Sequence, residues 1–155
     1  MTFPAFIILI ALTHPGQSGA PATAASTACL STVDTRRLAL QESIEGRIRI
    51  YREFSERYRA SMEDAARKQA FDQVPALLAC WQELLASSLK DIEATINRRK
   101  KSGALINYEI QVRKSINDVN DVRLKAPYQL NSEFIAWSTQ ADAVRKRFVD
   151  ILFQR

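Results

Sequence analysis

The sequence predicts an all-α fold: an up-down bundle of about four helices in residues 25–155, behind a cleaved signal peptide in residues 1–24. Two observations carry this. Beyond Ala24 the chain is punctuated by only Gly46, Gly103, Pro75 and Pro127, too few turn formers for strands and tight hairpins. Its apolar residues then recur at steps of three and four, the period of one helix face. At 155 residues the chain is long enough to bury a core as one domain.

The N-terminal stretch has a different composition. No charged side chain occurs up to Ala24. Phe3 to Leu12 is an apolar run of ten residues, shorter than the ~20 a membrane-crossing helix needs. Pro15, Gly16, Gly19 and Pro21 follow, and then the small-residue triplets Ala20-Pro21-Ala22 and Ala22-Thr23-Ala24. That order matches a secretory signal with its cleavage site, although its first residues lack Lys and Arg. The mature chain is expected in the periplasm or outside the cell, with no stable membrane insertion after cleavage. Cys29 follows Ser26-Thr27-Ala28, without the aliphatic residue of a lipidation motif.

The first helix is expected to start near Val33, where Ser31-x-x-Asp34 offers a capping signal. Its apolar stripe is Leu40, Ile44, Ile48, Tyr51, Phe54, Tyr58 and Met62. The opposite face carries Glu45/Arg49, Arg52/Glu56 and Glu53/Arg57, opposite charges at i,i+4 that mark a solvated surface. A second helix is expected from Pro75 to Lys101 through Leu78, Trp81, Leu85, Leu89, Ile92 and Ile96, with Gly103 as its stop. The third spans Leu105 to Leu124 through Tyr108, Val112, Ile116, Val119 and Val122. Ile106-x-Tyr108-x-Ile110-x-Val112 also alternates as a strand would, but its length and neighbours favour helix. Beyond Pro127 a fourth helix, capped by Asn131 or Ser132, carries Phe134, Trp137, Ala141, Val144, Phe148 and Ile151, a 3-4-3-4-3 seam. Four such helices with short connections make the bundle. The alternative is a helical hairpin that completes its core by dimerising, so a monomer is favoured over a homodimer.

Cys29 and Cys80 are the only cysteines, and in an exported chain an even pair most often means one structural disulfide, the alternatives being an intermolecular bridge or two buried thiols. An unbroken first helix from Val33 to Phe71 would leave the two roughly 50 Å apart at 1.5 Å per residue, whereas a disulfide needs Cα atoms within about 7 Å. A turn near Ser61, where Ser61-x-x-Asp64 repeats the capping signal, closes the distance. The first helix is therefore expected to end there.

Function is bounded chiefly by exclusion. The single histidine, His14, lies in the segment expected to be removed. The mature chain therefore lacks imidazole for acid/base or nucleophilic catalysis and for ligating zinc or haem. Asn117-Asp118-x-Asn120-Asp121 is the nearest approach to a calcium loop, yet it lacks the glycine and closing glutamate. No cofactor and no metal are expected. The net charge of +5 draws attention to Arg145-Lys146-Arg147 and to Arg98, Arg99, Lys100 and Lys101. The second run is a candidate anion-binding site, or simply cations that end the second helix and complement its dipole. An exported protein meets little nucleic acid, so none is expected as a partner. Trp81 and Trp137 read as core, with a ligand pocket as the alternative. These features favour a non-enzymatic protein that binds another protein, such as an inhibitor, accessory subunit or chaperone-like factor. The alternatives are a small-ligand carrier and a histidine-independent enzyme acting on envelope or extracellular glycans.

Overall fold

The computed structural model describes residues 29–97 and 102–153. The expected signal peptide, His14 and the run Arg98 to Lys101 lie outside those residues. Among the described residues there are five α-helices and no strand: α1 (Thr32–Ala39), α2 (Ile44–Arg67), α3 (Val74–Thr95), α4 (Gly103–Arg123) and α5 (Asn131–Phe153). Single 3₁₀ turns at Phe71–Gln73 and Tyr128–Leu130 lead into α3 and α5.

Serines set three of the helix starts. Ser31, Ser43 and Ser102 each accept a hydrogen bond from the backbone N–H three residues on, at Asp34, Gly46 and Leu105. Each satisfies a donor that the first turn leaves free. Pro75 sits in the first turn of α3, where its missing N–H costs nothing. Gly103, expected to stop a helix, instead opens α4. The preceding helix has already ended at Thr95 and not at Lys101.

The larger correction concerns the first helix. The expected single element is two: α1 ends at Ala39, residues 40–43 reverse the chain, and α2 then runs through Ser61 to Arg67. Leu40, read as the first residue of the core stripe, is 71% exposed at the reversal. The turn is held by its own side chains. Arg47 Nη1 donates to the carbonyls of Gln41 and Glu42 at 3.2 and 3.3 Å, and Gln41 Oε1 accepts from the Ser43 N–H. Gly46 matters here, because a Cβ at that position would collide with the Gln41 carboxamide. At the far end α2 stops with Gln69 at φ 57°. The Ala70 N–H reaches back to the Ala65 carbonyl at 2.9 Å and the Gln69 N–H to Ala66. This is a Schellman ending built on a residue other than glycine.

The four long helices alternate in direction along the chain, as expected of an up-down bundle. Their arrangement is not a simple ring of neighbours. α2 packs on α3 and α4, and α5 packs on α3 and α4. The connection from α3 to α4 therefore crosses the diagonal of the bundle. α2 consequently lies parallel to α4, with Arg52 level with Gln111 and Arg59 with Asp118. Likewise α3 lies parallel to α5, with Gln82 level with Gln140 and Glu93 with Arg147.

The core follows the predicted stripes. Phe134, Trp137, Ala141, Val144, Phe148 and Ile151 are all buried, and they are the buried residues of α5. Trp81 and Trp137 meet at 4.4 Å between ring centroids. Besides the capping Ser102, three serines are buried, Ser55, Ser88 and Ser115, each 0% exposed. The Trp81 indole N–H donates to Ser55 Oγ at 2.6 Å, and the Ser88 and Tyr108 hydroxyls lie 3.2 Å apart. Ser55→Ala would leave the indole N–H buried without that acceptor. It is expected to lower stability by about 1–3 kcal/mol, read from the urea midpoint; a midpoint equal to wild type would contradict this.

Candidate functional site

Cys29 and Cys80 are joined, 51 residues apart in sequence with their Cα atoms 5.0 Å from each other. The bridge does not require α2 to end near Ser61. Instead α1 doubles back antiparallel along α2, with Arg37 opposite Glu53 and Asp34 opposite Arg57. This returns Cys29 to the level of Tyr58, whose hydroxyl donates to the Cys29 carbonyl. α1 buries no residue of its own; Leu30 and Leu38 are half-buried against the core.

This strap rearranges the charges that the sequence pairs at i,i+4. Among the described residues, none of Glu45/Arg49, Arg52/Glu56 and Glu53/Arg57 forms an ion pair. Arg37 of α1 takes Glu53 in a two-pronged contact at 2.6 and 2.7 Å, and Asp34 takes Arg57. Arg59 takes Glu56, which also accepts from Gln111 of α4 at 2.9 Å. The Arg37 hydrogen bond holds the Glu53 carboxyl below its usual range, and the Arg59 hydrogen bond does the same for Glu56. Both carboxylates are therefore ionised and neutralised within the protein. Arg36, Arg49, Arg52 and Lys114 are left without an ion-pair partner among the described residues.

These four cations lie on one face, made by α1, α2 and α4 side by side. A cleft of ≈ 610 Å³ between α1 and α2 is lined by Val33, Arg36, Leu40, Gly46 and Arg49. A second, of ≈ 730 Å³ between α2 and α4, is lined by Arg49, Arg52, Glu56, Ile110, Gln111 and Lys114. Arg49 forms part of both walls. The same face carries Val33 of α1, Leu40 at its C-cap and Ile110 of α4, all exposed, with exposed Ile106 one turn from Ile110.

The wider charge distribution gives this clustering its meaning. Arg98, Arg99, Lys100, Lys101 and Arg155 account for the whole net charge of +5, so the described residues carry equal numbers of both signs. The positive face is thus a segregation within a neutral body, not a reflection of overall basicity. Arg145, Lys146 and Arg147, the other basic run, are paired with Asp142, Glu109, Glu93 and Asp150.

No group of side chains among the described residues is arranged to hold a metal ion, and no described helix is long and apolar enough to cross a membrane. Asp118, from the stretch nearest to a calcium loop, pairs with Arg59 at 3.4 Å. Glu109, the one buried carboxylate among the described residues, contacts Arg145 at 3.3 Å, which also binds Asp142. Trp81 and Trp137 are fully buried and line neither cleft of the basic face. No protein-family model, curated protein or solved structure matches the chain.

Proposed function

We propose that this is an exported, non-enzymatic helical protein that binds another protein through the α1/α2/α4 face. The observation that carries this reading is the face itself: four cations without ion-pair partners interleaved with three exposed apolar side chains, Val33, Leu40 and Ile110, along two adjoining clefts. Scattered exposed apolar residues are ordinary, but apolar and cationic groups gathered on one concave surface mark an interaction site. The interior supports the same reading. Its tryptophans pack on each other, and Glu109 is tied to arginine, so the chemistry on offer lies outside the core. Export is supported by the Phe3–Leu12 run, the A-x-A triplets and the disulfide, since such bridges persist in oxidising compartments.

The test places a photo-cross-linking amino acid at Leu40 or Ile110, and at Lys90 of α3 as a control, in the full chain made by its native host. A discrete protein adduct at the two face positions and none at Lys90 is expected. The N-terminus of the cross-linked product should begin between Ala22 and Ala25. No adduct from the face, or the same adduct from Lys90, would overturn the binding surface. An intact N-terminus in the cytoplasmic fraction would overturn export.

A further inference from the structure

We infer that the partner presents an acidic amphipathic helix to this face, an inference that rests on the protein-binding reading above. Three features of the surface point to that chemistry. First, among the charged residues that line the two clefts, those without an ion-pair partner are all cations. Glu53, Glu56 and Asp34 are engaged by Arg37, Arg59 and Arg57, whereas Arg36, Arg49, Arg52 and Lys114 have no carboxylate. A partner that supplies carboxylates satisfies four donors without displacing an existing pair.

Second, the apolar groups are spaced for helical contact. Val33 and Leu40 are seven residues apart on one side of α1, with Arg36 between them, and Ile106 and Ile110 are at i,i+4 on α4. Both pairs project from the outer surface. A helix seated in either groove would meet one of these rows through an apolar stripe of its own, α2 standing between the two grooves.

Third, the surface is concave and not uniformly positive. Two grooves flank α2 and share Arg49 on the ridge between them, and a groove between two helices is a shape that a third helix, about 10–12 Å wide, can lie along. Glu53 and Glu56 line the α2/α4 cleft among the cations. A lipid headgroup plane or a phosphate polymer would bring its anions against those carboxylates, whereas a helix can set its own polar residues to avoid them.

The experiment uses the mature protein, with its disulfide intact, and a fluorescein-labelled helical peptide of about five turns. Leucines at three- and four-residue spacing form one face of the peptide and glutamates flank it. A second peptide carries glutamine at every glutamate. The glutamate peptide is expected to bind at least about tenfold more tightly than the glutamine peptide, and binding should weaken with salt. Arg49→Glu/Arg52→Glu is expected to weaken glutamate-peptide binding by about tenfold or more, while Lys90→Glu leaves it unchanged. Both substituted arginines lack an ion-pair partner, but the new glutamates stand i,i+4 from Glu45, Glu53 and Glu56, so a small fall in melting temperature is expected and binding is measured well below the melting temperature of the double variant. Equal binding of the two peptides, or no loss in the double variant, would overturn the inference. So would binding to phosphatidylglycerol vesicles without binding to the glutamate peptide. Cross-linked partners at Leu40 and Ile110 combined with any of these results would leave a protein-binding face whose partner is not acidic. Absence of those adducts would remove the binding reading itself.

Discussion

Replacing Phe148 by alanine is expected to lower the stability of the bundle by about 3–5 kcal/mol, the range for emptying a buried aromatic site. Phe148 lies toward the C-terminal end of the α5 seam and is fully buried. Its ring is 5.2 Å from that of Tyr108 on α4, whose hydroxyl in turn meets Ser88 on α3. The cavity would therefore open where three helices converge, with little freedom to collapse because each wall belongs to a different helix. Burial also pushes the Tyr108 phenol well above its ordinary range, so water admitted beside it would meet a hydroxyl now held in an apolar setting. Denaturant unfolding of wild type and Phe148→Ala decides the matter. Tyr128→Ala is the control, because Tyr128 is 86% exposed and its removal should change the midpoint little. A Phe148→Ala midpoint equal to that of the control would contradict the assignment of the core.

That seam was legible in the sequence because a continuous helix imposes one period on everything it buries. All six α5 positions named from the 3-4-3-4-3 spacing are buried, and the capping signal at Ser31-x-x-Asp34 is realised as read. Connections were less legible, for a physical reason. The reversal at residues 40–43 leaves the apolar spacing of Leu40, Ile44 and Ile48 intact. It is made by tertiary contacts, Arg47 capping the Gln41 and Glu42 carbonyls and also binding Asp91 of α3 at 2.8 Å. The end of α2 is hidden in the same way, because its left-handed residue is Gln69 and not glycine or asparagine. In the sequence the α1/α2/α4 face reads only as a solvated surface laced with i,i+4 pairs. The Glu53/Arg57 pair fails to form because α1, folded back along α2, offers Arg37 and Asp34 as better-placed partners, while Glu56 is taken by Arg59 of α2 and Gln111 of α4. The disulfide was predicted correctly, and it required the fold-back in place of a turn at Ser61. One earlier signal bears on this: a chain reversal near Gly46 would have closed the cysteine geometry without shortening α2.

Cys29→Ser/Cys80→Ser is expected to lower stability by about 2–4 kcal/mol, since the bridge no longer restrains the unfolded chain, and to release α1 while α2 to α5 stay folded. The second half follows from how α1 is held. It buries no residue, and its ion pairs are solvated: Arg37 and Glu53 are each about half exposed, and Arg57 likewise. Exposed pairs of this kind contribute little, so the covalent link, the hydrogen bond from Tyr58 to the Cys29 carbonyl and the half-buried Leu30 and Leu38 are the principal restraints. The remaining electrostatic hold has a definite pH dependence. Glu53 is lowered by the Arg37 hydrogen bond. Burial alone would raise Asp34, but hydrogen bonds from Arg57 and Ser31 outweigh it and lower this carboxyl too. Groups whose folded pKa is depressed contribute stability above their ordinary values and lose it as pH falls through the folded ones. The cysteine-free variant should therefore lose the residual protection of α1 at pH values below the ordinary carboxylate range, about 4. Hydrogen exchange followed by mass spectrometry, corrected for the intrinsic slowing of amide exchange in acid, reads this directly: low protection over residues 32–39, lowest in acid, with protection of α2 to α5 retained at neutral pH. Because Val33, Arg36 and Leu40 form one wall of the α1/α2 cleft, the same variant should bind the glutamate peptide more weakly even where its four-helix core is intact. Unchanged protection of α1 in the variant, at neutral and acid pH alike, would show that contacts other than the bridge position the strap.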